Sequence, residues 1–325
     1  MDPVHLPRLF PPPLMARLRR SARLDPALVV RDFADPAAAS ALAGAEVLIT
    51  GWGCPRIGAD ALTAAPRLRA VLHAAGSVRP LISEAVWERG VAVSSAAAAN
   101  AVPVAEYTLA MILLAGKDAF ALRDRYRATH AHPSAAETAG LGNAGRRIGI
   151  VGASRVGRRL LELLRPHDFE VLLHDPWVDA PEAAALGAEP LPLEDLLRRS
   201  DIVSLHAPDL PETRRMLDRA RLALIPDGGV LVNTGRGALV DHDALTDELV
   251  SGRLRAILDV TEPEPLPAGS PLHTLPNVFL TPHIAGSLGN ELERLGRAVA
   301  EELERLASGL PPACEVRRAD LARLA

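Results

Sequence analysis

Cysteine is nearly absent from this chain: Cys54 and Cys314 are the two examples, far apart, so neither a disulfide framework nor a cysteine-built metal site is available. No metal is expected, and a reducing, cytoplasmic location fits. Lysine is scarcer still, with Lys117 alone. The 36 basic residues are scattered and set against 40 acidic ones for a formal charge of -4, which gives a nucleic acid no footing. No apolar run approaches the ~20 residues of a membrane helix, so a membrane partner is not expected. The stretch from Met1 to Leu18 is broken by Pro3, Pro7 and Pro11 to Pro13 and lacks the continuous apolar core of a signal peptide. Repeats of fixed period are missing as well.

What is present is a chain of 325 residues, 48% hydrophobic and 23% charged, the composition of a globular protein long enough for two domains. From Ala27 to Ser95 short apolar runs alternate with Ala-rich helical stretches. Strands are expected at Leu28 to Val30, Val47 to Thr50, Val71 to His73 and Val91 to Ser94, with helices at Asp60 to Ala65 and Ile82 to Arg89. A long apolar helix, Val104 to Leu122, follows and reads as buried between domains or subunits. A second series then places strands at Ile148 to Val151, Val171 to His174, Ile202 to Leu205, Val230 to Asn233, Ala256 to Leu258 and Val278 to Leu280. Six strands with intervening helices predict a doubly wound parallel sheet, whose ligands sit at the carboxyl ends of its strands. The last helix, Leu288 to Leu306, carries Leu292, Leu295, Val299, Leu303 and Leu306 at helical spacing and is expected to return to the first domain. That predicts a discontinuous first domain, 1–101 with 288–325, and a second at 102–287.

The first strand of the second series runs into Gly152-Ala153-Ser154-Arg155-Val156-Gly157, which opens a helix. Such a turn brings backbone N–H groups and a helix N-terminus onto a pyrophosphate, and a bulky side chain would block it. Ser154 replaces the second glycine of G-x-G-x-x-G, a position that must stay small; its hydroxyl can itself donate to a phosphate. Asp175 ends the next strand, 18 residues beyond Gly157, where a carboxylate accepts from adenosine ribose hydroxyls and repels a 2′-phosphate. The expected cofactor is NAD rather than NADP. The alternative for Asp175 is a plain turn residue before Pro176.

Three later strand ends read Asn233-Thr234-Gly235-Arg236-Gly237, Asp259-Val260-Thr261-Glu262-Pro263-Glu264-Pro265 and Thr281-Pro282-His283-Ile284-Ala285-Gly286. With His206-Ala207-Pro208, Asn100 and Val104-Ala105-Glu106, their order and spacing resemble the D-isomer-specific 2-hydroxyacid dehydrogenase family over nearly the whole chain. The resemblance implies a Rossmann dinucleotide-binding domain inserted into a smaller, flavodoxin-like substrate domain, both α/β and doubly wound. It also implies hydride transfer between NADH and a 2-keto acid. That reaction needs a cation to clamp the carboxylate, an acid to protonate the new alkoxide, and a partner that keeps the acid charged. Arg236, His283 and Glu264 match those roles.

By the same resemblance Gly152, Ser154, Arg155, Val156, Gly157, Asp175, Pro208, Thr234, Gly235, Arg236, Asp259, His283 and Gly286 contact the cofactor. His206 and Thr213 stand behind them, and for His206 a purely structural role is equally open. Gly76 and Ser77, in His73-Ala74-Ala75-Gly76-Ser77-Val78-Arg79, match a backbone loop that receives the substrate carboxylate. Trp52, in the loop Gly51-Trp52-Gly53-Cys54, stands where phosphoglycerate dehydrogenases carry basic and hydroxyl side chains, which disfavours 3-phosphoglycerate. Arg56 and Arg79 leave room for a second anionic group, although both also read as solvated surface residues. Glu264 argues against formate dehydrogenases, which pair the histidine with glutamine. A phosphite-type dehydrogenase needs a first-domain lysine, and Lys117 lies elsewhere. A reading of another class is a NADH-sensing corepressor or scaffold that resembles the same family. The long apolar helix also predicts a homodimer.

Overall fold

The computed structural model describes residues 1–322. It divides into two compact units: residues 1–101 with the segment from Ser287 onward, and residues 102–286.

The first unit contains a three-stranded parallel sheet, β1 (Val47–Thr50), β2 (Ala70–His73) and β3 (Ala92–Ser95), in that order. Both faces are covered. Val71 and Val93 pack with Ala61, Leu62 and Val86 from the short helices Ala59–Ala64 and Glu84–Glu88. Leu72 packs on the other face against Leu14 and Leu18 of the helix Pro12–Ser21 and Leu295, Val299 and Leu303 of the helix Leu292–Ala307. The N-terminal prolines start helices rather than prevent them. Pro12 and Pro36 sit in first turns, where the missing N–H has no intrahelical partner to lose. Arg17 forms a fork on Glu304, 2.6 and 2.7 Å, that joins the two long helices of this layer.

Leu28 to Val30 is not a strand. Asp25 and Asp32 each close a turn on the backbone beside it. An 850 Å³ cavity lined by Leu28, Val29, Phe33, Val47 and Ile49 lies along this segment and β1, so it has no ladder to join. β-branched residues form strands only where a neighbouring strand receives them.

The second unit is built on a seven-stranded, wholly parallel sheet. Its strands are β4 (Arg146–Val151), β5 (Phe169–His174), β6 (Glu189–Pro190), β7 (Ile202–Leu205), β8 (Val230–Asn233), β9 (Arg255–Leu258) and β10 (Val278–Leu280). The spatial order is β10-β9-β8-β7-β4-β5-β6. The chain therefore works outward from β4 to one edge, returns, and works outward from β7 to the other. β6 is the seventh strand, two exposed residues at the edge, with no apolar run to announce it. The central strands are buried on both faces, between one layer containing Leu196, Leu222 and Leu245 and another containing Ile112, Leu160 and Leu164.

The long helix spans Ala97–Gly116 rather than Val104 to Leu122. It stops where Asn143 Nδ2 donates to the Leu113 carbonyl and the Gly142 N–H donates to Gly116. Asp118 is left-handed (φ 49°) and pairs with Arg255 at 2.7 Å, and a second helix, Ala119–Thr129, begins after it. The corrected bounds give a helix long and apolar enough to cross a membrane by length and composition. Ala105, Met111, Ile112 and Ala115 nevertheless belong to the core of the second unit. Glu106, Ala110 and Leu114, four residues apart, are exposed along one stripe of the single chain.

The chain after the last helix is fastened to the first sheet through Glu302. This carboxylate is buried and accepts the N–H groups of Ala313 and Cys314 at 2.9 and 3.0 Å, which sets Val316 N–H on the Val93 carbonyl of β3. Glu302→Ala should cost about 1–3 kcal/mol by leaving these donors without their acceptor. Urea unfolding measures the cost and hydrogen exchange at Val316 locates it; unchanged protection there would refute the role.

Candidate functional site

In the second unit, strand order reverses between β4 and β7, and the turns that leave these two strands meet there. Gly152 has φ +99°, and a Cβ on it would lie 2.6 Å from the Ala207 nitrogen; a Cβ on Gly157 would collide with the Gly152 carbonyl oxygen. Gly152 excludes a side chain because the turn after β7 packs on it, and Gly157 because its own turn folds back on the opening of the helix. Ser154 is different. Its backbone is ordinary (φ -64°, ψ -179°), and its Oγ caps the helix Arg155–Leu164 by accepting from Gly157 N–H at 3.4 Å. The turn thus keeps its shape without the middle glycine, with Arg155 and Val156 opening the helix.

Asp175, at the end of β5, faces the same turn. One carboxylate oxygen accepts from Ala153 N–H at 2.6 Å and the other from Trp177 N–H at 2.8 Å, so the group is fixed while each oxygen retains lone pairs. Beside it lies a 270 Å³ cleft lined by Leu173, His174, Asp175, Val178, Pro190 and Leu191. A cradle closed to Cβ atoms, a helix N-terminus and an acidic residue at the next strand end fit a dinucleotide without a 2′-phosphate.

His206 is buried beneath the turn, its Nε2 2.8 Å from Ser204 Oγ, while Nδ1 has no partner among the described residues. Burial pushes its pKa down to about 3. The Thr213 hydroxyl is spent inside its own loop, donating to the Pro208 carbonyl and accepting from Leu210 N–H.

The chemistry-bearing loops follow β8, β9 and β10. Asn233 organises the first: its Oδ1 accepts from Gly235 N–H at 3.0 Å and its Nδ2 donates to the Arg236 carbonyl at 2.9 Å. Arg236 is largely desolvated, which lowers its pKa, while Asp209 and then Glu264 oppose the shift. Its guanidinium donates once, to the Gly235 carbonyl, and its other donors have no partner among the described residues. Glu264 Oε1 lies 2.6 Å from His283 Nδ1. His283 is left-handed (φ 55°), and Nε2 has no partner among the described residues.

Asp259, at the end of β9, is buried and accepts from the Thr281 hydroxyl and from the N–H groups of Ile284 and Ala285 at 2.7–2.9 Å. Thr234 Oγ1 lies 2.8 Å from Thr108. Gly286 closes the second unit. Asn233, Asp209 and Thr281 were not singled out by the sequence reasoning: Asn233 and Thr281 hold loops, and Asp209 acts on the Arg236 charge from a distant loop.

The remaining candidates lie in the first unit. Trp52 stands in the loop after β1, partly exposed and edge-on to His5 at 5.3 Å. Gly76 and Ser77 follow β2, where His73 Nδ1 meets Thr50 Oγ1 at 2.9 Å and burial pushes its pKa down to about 4. Arg79 donates to the Leu321 carbonyl at 2.7 Å, so its guanidinium is partly engaged by the chain itself.

Sheet order, glycine turn and acidic strand end define a dinucleotide-binding α/β protein. Residues 109–285 match the model of the D-isomer specific 2-hydroxyacid dehydrogenase NAD-binding domain, and the chain belongs to that family. The second unit is accordingly its NAD-binding domain. The chain is 35% identical over 254 residues to D-3-phosphoglycerate dehydrogenase of Mycobacterium tuberculosis, a match covering 78% of this chain and 48% of the relative. It thus spans about half the length of the curated phosphoglycerate dehydrogenases it matches. It is also 35% identical over 265 residues to glyoxylate reductase of Aeropyrum pernix, covering 79% of this chain and 78% of that one. Among solved structures it resembles D-mandelate dehydrogenase of Rhodotorula graminis, at TM-score 0.81, 26% identity and 94% coverage of each chain.

The buried histidine gives a pH prediction. The native pKa of His206 lies below the unfolded value near 6.5, so its contribution is complete above pH ~6.5 and is lost as pH falls toward 3. By pH 4.5 that loss is about 3 kcal/mol. His206→Gln should flatten the fall in urea midpoint between pH 7 and 4.5; an equally steep fall in the variant would refute it.

Proposed function

We propose that this protein is an NAD-dependent D-2-hydroxyacid dehydrogenase that interconverts a 2-keto acid and its D-2-hydroxy acid. The observation that carries the reading is a desolvated Arg236 with unspent donors on the loop next to a His283–Glu264 pair at 2.6 Å. A guanidinium out of water with free N–H groups is an anion site, and its planar fork suits a carboxylate and the adjoining carbonyl oxygen. Glu264 accepts from Nδ1–H and so orients the ring. Nε2 then carries the exchangeable proton: as imidazolium it protonates the developing alkoxide, and as neutral imidazole it takes the hydroxyl proton back. Bound NADH supplies the hydride.

Gly152, Ser154, Arg155, Val156 and Gly157 would receive the pyrophosphate, and Asp175 the adenosine ribose. Pro208, Thr234, Gly235, Asp259 and Gly286 would line the nicotinamide half, with His206 and Thr213 behind them. Gly76 and Ser77 would offer N–H groups to the substrate carboxylate, and Trp52 would bound the side-chain end. An indole there supports a substrate without a phosphate, in contrast to the relatives named for 3-phosphoglycerate. The outward stripe Glu106, Ala110 and Leu114 on an apolar helix supports a homodimer.

The decisive assay follows NADH absorbance against glyoxylate, hydroxypyruvate, pyruvate, and branched and aromatic 2-keto acids. Turnover of at least one is expected. Tight NADH binding with none would instead indicate a binding protein of this fold. His283→Ala should lower kcat by about 10²–10⁴-fold while fluorescence titration shows that NADH still binds; full retained activity would remove His283 as the acid. Light scattering should give twice the chain mass, and a monomer would refute the dimer.

A further inference from the structure

The long helix Ala97–Gly116 reaches two of the chemistry-bearing loops through consecutive hydroxyl side chains. Tyr107 Oη lies 2.9 Å from Thr281 Oγ1, and Thr108 Oγ1 lies 2.8 Å from Thr234 Oγ1. Counting protons fixes the direction of both bonds. Thr281 has one hydroxyl proton, and it points to Asp259 Oδ1 at 2.7 Å, a carboxylate oxygen that only accepts. Tyr107 must therefore donate to Thr281. Thr108 likewise gives its proton to the Val104 carbonyl at 2.7 Å, so Thr234 must donate to Thr108.

We propose that Tyr107 is a positioning residue for His283, acting through the one-way chain Tyr107 hydroxyl, Thr281 hydroxyl, Asp259 carboxylate. Asp259 is the group that shapes the turn after β10. Its two oxygens bind the N–H groups of Ile284 and Ala285 on one flank of His283 and the Thr281 hydroxyl on the other, and its carbonyl accepts from His283 N–H at 2.9 Å. The histidine between these anchors is held left-handed, a conformation that a residue with a Cβ keeps only when its surroundings impose it. Tyr107 supplies the outermost donor. With it, the Thr281 oxygen is satisfied and its hydroxyl stays directed at Asp259; without it, the Thr281 hydroxyl is free to turn away and one anchor of the turn is loosened.

Tyr107 is only partly buried, so it can serve as a donor only while it keeps its proton. Burial, with the Asp259 charge adding to it, pushes the phenol above its ordinary value despite the opposing bond to Thr281. The phenol therefore keeps its proton, and remains a donor, at neutral pH. Nothing in the local sequence marks this role: Tyr107 and Thr281 are 174 residues apart.

This inference rests on the reading of His283 as the acid, but its test does not depend on turnover alone. The full chain with Tyr107→Phe keeps the ring and removes one donor. Two variants bracket it: Thr281→Ser preserves the hydroxyl chain and Thr281→Val breaks it. In the ligand-free protein, the ring ¹H–¹⁵N signals of His283 and their titration midpoint are followed by NMR. Tyr107→Phe and Thr281→Val should both move them, and Thr281→Ser should restore wild-type behaviour. In turnover, loss of one such bond should lower kcat about 10-fold and displace the acidic limb of the pH profile, with NADH affinity within about twofold of wild type. His283 signals and kcat unchanged in Tyr107→Phe would overturn the proposal. So would an equal loss of NADH affinity and kcat, which marks general loosening. If Tyr107→Phe fails to fold, the Thr281 pair decides by the same two readouts. A wild-type protein without turnover would instead sink the dehydrogenase reading, and the NMR arm would still decide the positioning role.

Discussion

A reversal of strand order between β4 and β7 is the constraint on which the second unit depends. Where neighbouring parallel strands send their chains to opposite edges, no connection covers the gap between their carboxyl ends. The two turns that leave the gap are forced together: Gly152 packs its backbone on that of Ala207 so closely that a Cβ at Gly152 has no room. The same geometry puts Asp175 one strand to the side, and Arg236, Asp259 and His283 on successive strand ends in the other direction. No residue of this group needs a special local conformation to reach the crevice except His283. Its left-handed backbone is held by Asp259.

The chemistry-bearing side chains are costly to keep where they are. Arg236 is desolvated with a single carbonyl as direct partner, and Asp259 is buried with its charge met by one hydroxyl and two backbone N–H groups. Asp259 is compensated well enough to act as a structural anchor. Arg236 is left with donors to spare, and an anionic ligand would complete what the protein leaves undone. The helix Ala97–Gly116 contributes to this arrangement through Tyr107 and Thr108, so a segment with few charges still takes part in the polar organisation of the loops.

The fold was legible where burial on both faces writes itself into the sequence. The strands of the second sheet read as short unbroken apolar runs because parallel strands covered on both sides carry no polar face. The reading failed where structure depends on a neighbour. Leu28 to Val30 has strand composition but faces a cavity instead of a ladder, and Glu189–Pro190 is a strand only because β5 pairs with it. Helix ends escaped as well: the helix stops at Gly116 because Gly142 N–H and the Asn143 side chain take the Gly116 and Leu113 carbonyls, which no local pattern encodes.

For the candidate site, strand-end positions and the glycine turn were visible as motifs. Ser154 was an anomaly in sequence and becomes an ordinary helix cap in structure. The holding groups, Tyr107, Thr281 and the Asn233 side chain, were invisible because hydroxyl and amide bonds between distant residues leave no spacing to read. The proposed activity requires hydride to pass directly to the C2 carbon of a 2-keto acid at the strand-end site. The most direct test supplies NADH deuterated at the transferred C4 position and analyses the product by chiral chromatography and mass spectrometry. Direct transfer leaves one deuterium at C2 of the D-hydroxy acid; product without deuterium, or of the L configuration, would contradict it.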